Sequence, residues 1–338
     1  MEKAVVGISG GVDSAVCAAR LKARDFDVTG VFLDSGHQPP EAARAVCEQL
    51  DIPFITEDIT ALLEERVIRP FAQGYNSGVT PNPCVLCNPT VKFPALAKVA
   101  DRIGARRIAT GHYAALETRD RVTRLYQGKP GRDQSYMLYR LLSMQGILQR
   151  CLFPLCDDDK DTVRADARAL GLDAAEAPDS MDVCFVQDGG YAEYVERLGC
   201  GTPPGDFVDA DGAVLGRHEG IHRYTIGQRR GTGISSDSRL FVTRLDARRN
   251  QVTLGGEDRL YPESITAGHL ILSPGVTLPF EADVRVRIGS EAARAAVTPL
   301  SGGRALITFT QKPARAPTPA QSAVFYIDNM VAGGGIIL

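Results

Sequence analysis

The chain of 338 residues contains no apolar run approaching the ~18 residues that a membrane span requires. Its start, Met1-Glu2-Lys3-Ala4-Val5, lacks the basic, apolar and small-residue zones of a secretory leader, so the expected compartment is the cytoplasm. No internal repeat or low-complexity tract is present, which excludes solenoid and fibrous architectures. Net charge is nearly absent as well, at −3. That total argues against a protein that coats nucleic acid through bulk positive charge. Eight cysteines at irregular spacing, without a leader, do not make an extracellular disulfide framework; most are expected to be reduced and a few to do chemistry.

What is present is a soluble-type composition, 44% apolar and 23% charged with a mean hydropathy of −0.10, in a chain long enough for two or three domains. The charge is divided along it. Residues 1–100, 101–150, 151–216, 217–249 and 250–338 carry net −3, +6, −11, +5 and 0. Two compact basic blocks in an otherwise acidic or neutral chain fit either a local anionic partner or a solvated surface.

Ala4–Ile8 is a short apolar run that ends in Ser9-Gly10-Gly11-Val12-Asp13-Ser14, after which Ala15, Val16, Ala19 and Leu21 recur at helical spacing. The pattern predicts strand, glycine loop, helix. Further strands are expected at Val28–Leu33, Pro53–Thr56 and Arg107–Thr110, with helices at Glu41–Leu50 and from Ile59 towards Phe71. Such alternation implies an α/β domain with a mostly parallel sheet. Tyr75–Pro94, with Asn82-Pro83, Asn88-Pro89 and two cysteines, is read as a long irregular loop. Near Gly199 the alternation stops, and short strand-like runs at 241–245, 251–254, 282–288, 305–309 and 322–327 predict a small central domain and a C-terminal β-barrel. The expected boundaries are 1–198, 199–262 and 263–338.

The glycine loop can approach phosphate closely, and the helix behind it directs unpaired N–H groups and a partial positive charge at an anion. It lacks the Gly-Lys-Ser/Thr ending of a γ-phosphoryl transfer loop. It resembles instead the loop of ATP pyrophosphatases, which cut ATP to AMP and pyrophosphate; in that likeness Asp13 helps position Mg²⁺, and Ser14 contacts phosphate and caps the helix. The second constellation is Cys84-Val85-Leu86-Cys87 with Cys184 downstream. A thiol near an adenylate can deliver sulfur as a persulfide, and a partner thiol can release it by forming a disulfide. No second CxxC or spaced histidine pair accompanies the first, which weakens a zinc site.

Several further strings occur in one order: Thr80-Pro81-Asn82-Pro83, Cys87-Asn88, Lys92-Phe93, Ala109-Thr110-Gly111-His112-Tyr113, Asp133-Gln134-Ser135-Tyr136, Phe153-Pro154-Leu155, Asp179-Ser180, Cys184-Phe185, Tyr224–Gly231 and Thr318–Tyr326. With the glycine loop they resemble the tRNA-specific 2-thiouridylase family over nearly the whole chain. The resemblance implies a PP-loop N-terminal domain in which Gly7, Ile8, Ser9, Gly10, Gly11, Val12, Asp13 and Ser14 cradle ATP and the backbone at Leu33 and Gly111 borders the adenosine. It implies that Cys87 is the nucleophile and Cys184 the persulfide carrier, joined in a disulfide after transfer. Asn82, Pro83 and Cys84 align with target-base contacts; His112, Arg132, Asp133, Gln134, Arg287 and Gln321 align with tRNA contacts. The implied reaction is ATP-dependent 2-thiolation of the wobble uridine in tRNAs for Lys, Glu and Gln, fed by a persulfide donor or relay protein.

Three departures stand out. Cys84 replaces the family's usual aspartate, Ile288 replaces a usual tyrosine, and Ser35–Pro40 is short. With a third thiol in hand, Cys84, Cys87 and Cys184 could form three corners of a [4Fe-4S] cluster. The alternatives are thus a cluster- or sulfide-using enzyme acting on another tRNA uridine or acceptor, and a non-catalytic ATP- and RNA-binding protein. Pure binding has no use for two thiols.

Overall fold

A computed structural model describes every residue except 179–182 and 187–189, so Asp179 and Ser180 of the strings above lie outside the described residues. The chain divides into two compact units. The first comprises Met1–Val67, Cys84–Phe185 and Asn329–Val331; the second comprises Ile68–Pro83, Val186–Asp328 and Ala332–Leu338.

The first unit is built on β1 (Lys3–Gly7), β2 (Asp27–Asp34), β3 (Phe54–Asp58), β4 (Arg107–Ala109) and β7 (Cys151–Leu152), with the hairpin β5 (Ala114–Arg119) and β6 (Val122–Gln127) between the last two. The five sheet strands are parallel, in the order β3-β2-β1-β4-β7. Central β1 buries Ala4, Val5 and Val6 completely, worth about 2 kcal/mol for each valine. Helix α1 (Val12–Ala23) packs Val12, Ala15, Val16, Ala19 and Leu21 into the same core. Successive strands run outward from β1 towards β3, and the chain then returns to β1's other side at β4. That reversal opens a crevice beyond the C-terminal ends of β1 and β4, where ligands bind in open parallel sheets.

The expected loop at Tyr75–Pro94 is mostly helical. One helix runs to Asn76, and a second begins at Pro83 and continues to Ile103, widened to a π-type turn over Asn88–Lys92. Proline is tolerated in the first turn, where its missing N–H has no intrahelical acceptor, and the wide turn accommodates Pro89 where an ordinary one would clash. Cys84 and Cys87 therefore stand one turn apart on the same helical face.

In the second unit, β8 (Gly205–Val208), β9 (Val214–His218), β10 (Phe241–Asp246) and β11 (Gln251–Gly255) form a four-stranded sheet in the order β10-β11-β8-β9. Its core is Phe207, Ile221, Tyr224, Val242, Val252 and Leu254. Strands β12 (Ser264–Leu272), β13 (Phe280–Arg285), β14 (Ala293–Leu300), β15 (Arg304–Phe309), β16 (Ser322–Ile327) and β17 (Met330–Ile337) run in the order β12-β15-β14-β13-β16-β17, and β17 pairs with β12 to close a barrel. Alternating burial along β14, with Ala293, Ala295 and Val297 inward, fills it. The parallel-sheet domain, small central domain and C-terminal barrel expected from the sequence are all present. Among the described residues, no helix is long and apolar enough to cross a membrane.

Candidate active site

The loop between β1 and α1 turns at Gly10, whose φ of +87° suits glycine, and a Cβ there would lie 2.6 Å from that of Ala42. Gly11 is the N-cap of α1 and has no side-chain cap. Ser14 is not the cap expected from the sequence. It lies inside the helix, where its hydroxyl donates to the Gly11 carbonyl at 2.9 Å and accepts the Ser9 N–H at 3.2 Å. It ties the loop closed and leaves the helix-terminal N–H groups for a ligand.

Across the crevice, Gly111 follows β4. A Cβ on Gly111 would come within 2.7 Å of the Asp13 carbonyl carbon and 2.8 Å of its oxygen, so only glycine permits this approach. Asp13 is fixed by two partners that the sequence did not single out for this role. The Tyr113 hydroxyl donates to its Oδ1 at 2.6 Å, and Lys160 Nζ donates to both oxygens at 2.9 and 2.8 Å. Lys160 is buried, with 9% of its surface exposed, a position open to lysine only when its charge is paired. Arg20 on α1 holds the segment before it, donating to the Pro154 carbonyl, to both oxygens of Asp158 and to Asp166. Within the run Asp157-Asp158-Asp159-Lys160-Asp161, Asp159 caps the helix Lys160–Ala169 through the Thr162 N–H, and Lys160 turns inward.

A cavity of about 320 Å³ occupies the crevice. It joins Gly7, Ile8, Ser9, Asp13, Ser14, Leu33 and Gly111, expected around ATP, to Cys87 and Cys184, expected to carry sulfur. His112 and Gln134 also line it. Gly10, Gly11 and Val12 are not among its lining residues, and Val12 is buried in the core. Phe32, Val31, Ile59 and Leu63 supply an apolar side that suits a purine ring.

The thiols differ. Burial pushes Cys87 up to about 11 and Cys84 upward as well, against the lowering influence of Lys92. Cys184 is exposed. Burial also holds the His112 imidazole well below its usual range, so it is neutral at pH 7; Nδ1 shares a 2.7 Å hydrogen bond with Thr110 Oγ1, and the ring stacks on Phe93. Among the described residues, no three His, Cys, Asp or Glu side chains are grouped so as to hold a metal ion. A cluster on Cys84, Cys87 and Cys184 therefore gains no support from the described residues.

The remaining expected contacts have structural partners. The Asp133 carboxylate accepts the Gly128 and Ser135 N–H groups, at 3.0 Å each, and organises its turn. Arg132 is exposed, whereas Gln134 is tied to Tyr113 through both backbone and side chain. In the second unit, Arg287 donates to the carbonyls of Ile226 and Ala316 and to the Thr318 hydroxyl, and buried Gln321 donates to the Thr80 carbonyl at 2.7 Å. Asn82 and Pro83 belong to the same unit, and Ile288 is exposed.

A parallel sheet with a glycine loop at its switch point, opening onto a cavity that two cysteines also line, defines the class of α/β enzymes that bind in the crevice of an open sheet. Three family descriptions match in succession: tRNA methyl transferase HUP domain over residues 2–188, tRNA methyl transferase PRC-barrel domain over 193–256, and aminomethyltransferase beta-barrel domain over 265–337. The tRNA-specific 2-thiouridylase MnmA of Clostridium acetobutylicum is 38% identical over 99% of both chains. The protein of that name from Sorangium cellulosum is 40% identical over 98% of this chain and 91% of its own. A solved 4-thiouridine synthetase–RNA complex with bound ATP overlaps 59% of this chain and 50% of its own, at 19% identity and a TM-score of 0.35. The chain belongs to the tRNA-specific 2-thiouridylase family.

Proposed function

We propose that this protein is an ATP-dependent tRNA sulfurtransferase that makes 2-thiouridine at the wobble position. The observation that carries the reading is one cavity shared by the glycine loop, Cys87 and Cys184. Residues 1–198 hold the chemistry, while 199–262 and 263–338 serve the RNA.

The uridine C2 oxygen attacks the α-phosphorus of ATP and pyrophosphate leaves, its charge met by the loop amides and the N-terminus of α1. Gly7–Ser14 cradle the phosphates, and Leu33 and Gly111 border the adenosine. Mg²⁺ would supply charge neutralisation at the phosphates when bound, and Asp13 would reach it on giving up Lys160, which holds both of its carboxylate oxygens. Cys184, loaded as a persulfide, delivers the sulfur. In one route its terminal sulfur attacks C2 directly, and the Cys87 thiolate then attacks the Cys184 Sγ, breaking the S–S bond so that the sulfur stays on C2 and a Cys87–Cys184 disulfide forms; in the other, the Cys87 thiolate attacks first, forming the same disulfide and expelling hydrosulfide, which attacks C2. AMP departs with the former C2 oxygen, and an external dithiol reduces the disulfide for the next turnover. The target uridine leaves the anticodon stack to reach the cavity, with Asn82, Pro83 and Cys84 at the base. His112, Arg132, Asp133, Gln134, Arg287 and Gln321 act on the tRNA, the bonded ones by shaping the surface that meets it.

The substrates in this reading are tRNAs for Lys, Glu and Gln, the sulfur source a persulfide relay protein, and the compartment the cytoplasm. A [4Fe-4S] route gains no support from the arrangement of the three thiols. Adenylation without transfer tests the division of labour. Cys184→Ser should still release pyrophosphate in a tRNA-dependent manner while forming no thiolated nucleoside; loss of both reactions would mean that Cys184 does not carry the sulfur.

A further inference from the structure

The reaction brings several anions into one cavity, and its wall is poor in positive charge. Among the described residues, Lys92 is the one lysine or arginine in that wall. The other nearby cation, Lys160, is committed to Asp13 at 2.8 Å, and His112 is neutral. Lys92 is half-buried and, among the described residues, has no carboxylate partner. An ammonium in a cavity wall with no carboxylate partner is suited to pair with an anionic reactant.

Its position within the cavity follows from the helix. The π-type turn over Asn88–Lys92 places Lys92 five residues after Cys87. Lys92 lines the cavity together with Cys87, His112 and Cys184, which places it at the sulfur end. An ordinary α-turn would rotate residue 92 onward by a further fraction of a turn relative to Cys87.

We propose that Lys92 is the residue that holds the anionic sulfur species, the Cys184 persulfide or free hydrosulfide, as it attacks the adenylated C2. This rests on the sulfurtransferase reading. With hydrosulfide as nucleophile, HS⁻ forms the C2–S bond, the C2–O bond breaks, and its electron pair leaves with AMP. The S–H proton passes to N3 and gives the thiocarbonyl. No oxidant or reductant is consumed. Lys92 offsets the negative charge of the incoming sulfur beside a phosphate that is itself gaining charge.

The test uses the full-length protein with ATP, Mg²⁺, unmodified tRNA and sodium sulfide as the sulfur source. In Lys92→Met the KM for sulfide should rise roughly 10- to 100-fold, as expected for loss of a charge-assisted contact. Single-turnover pyrophosphate release should fall by a much smaller factor, and Lys92→Arg should recover most of the sulfide affinity. An unchanged KM for sulfide in Lys92→Met would overturn the inference, as would equal losses in pyrophosphate release and thiolation. Lys92→Gln supplies the same comparison if the methionine variant does not fold. Wild-type protein that forms no 2-thiouridine would instead refute the functional reading on which the inference rests.

Discussion

Replacing Gly111 by alanine probes the crevice without touching a polar group. The new methyl would lie 2.7, 2.8 and 2.9 Å from the carbonyl carbon, oxygen and Cβ of Asp13. Two of these atoms are backbone in the first turn of α1, so no side-chain rotation relieves the contact. Gly111 is not among the residues with a left-handed backbone, and the penalty is therefore steric alone. Overpacking of this kind costs about 2 kcal/mol. Part will appear as lost stability, at most a drop of about 4–8 °C in melting temperature for a unit of this size. The rest will appear as displacement of the glycine loop, at most a ~30-fold weaker affinity for ATP. Thermal unfolding with and without ATP, together with calorimetric titration of ATP, measures both. Gly146, in the helix Gln145–Leu148 with nothing within 4 Å of a built Cβ, is the control, and Gly146→Ala should be neutral or slightly stabilising. If Gly111→Ala matches wild type in both melting temperature and ATP affinity, the close approach of Gly111 to Asp13 is wrong.

Lys160→Met leaves the Asp13 carboxylate without its cation; because that side chain retains 30% exposure, the cost should be about 1–3 kcal/mol, less than for a fully buried pair. Adding Asp13→Asn should recover part of it in a double-mutant cycle of urea unfolding, and strictly additive losses would deny the coupling. Because burial raises Cys87 to about 11, only about one molecule in ten thousand carries that thiolate at pH 7, and alkylation by iodoacetamide should accelerate close to tenfold per pH unit up to about pH 10. Peptide mass spectrometry that finds the Cys87 rate levelling off below pH 8 would contradict this. Affinity for tRNA should fall with salt, with a slope set by a few phosphates met by the basic blocks at 101–150 and 217–249; a slope near zero would refute a confined basic track.

The strand–loop–helix at Lys3–Ala23 is legible because a buried strand, paired glycines and helical apolar spacing all agree. The C-terminal strands at 241–246, 251–255 and 322–327 are legible through their β-branched and aromatic runs. The hairpin at 114–127 is not, because its turn at Asp120-Arg121 takes positive φ without a glycine or asparagine to announce it. The Asn-Pro pairs of 82–89 suggest a loop, but Pro83 opens a helix and a wide turn absorbs Pro89, so the same residues instead align two thiols. Lys160 is hidden in an acidic run that resembles a solvated surface; only tertiary packing turns it onto Asp13. Arg287 and Gln321 are expected at tRNA contacts by family pattern alone; their hydrogen bonds within the second unit carry no signal in the sequence. The −3 total conceals the local charge that matters for RNA.

The central claim is tested most directly by incubating the protein with ATP, Mg²⁺, a persulfide donor and unmodified tRNAs for Lys, Glu and Gln, then mapping thiolated nucleosides by mass spectrometry. Sulfur should appear at C2 of the wobble uridine, with one AMP formed per sulfur transferred. Sulfur at C4, at another position, or on none of these tRNAs would contradict it.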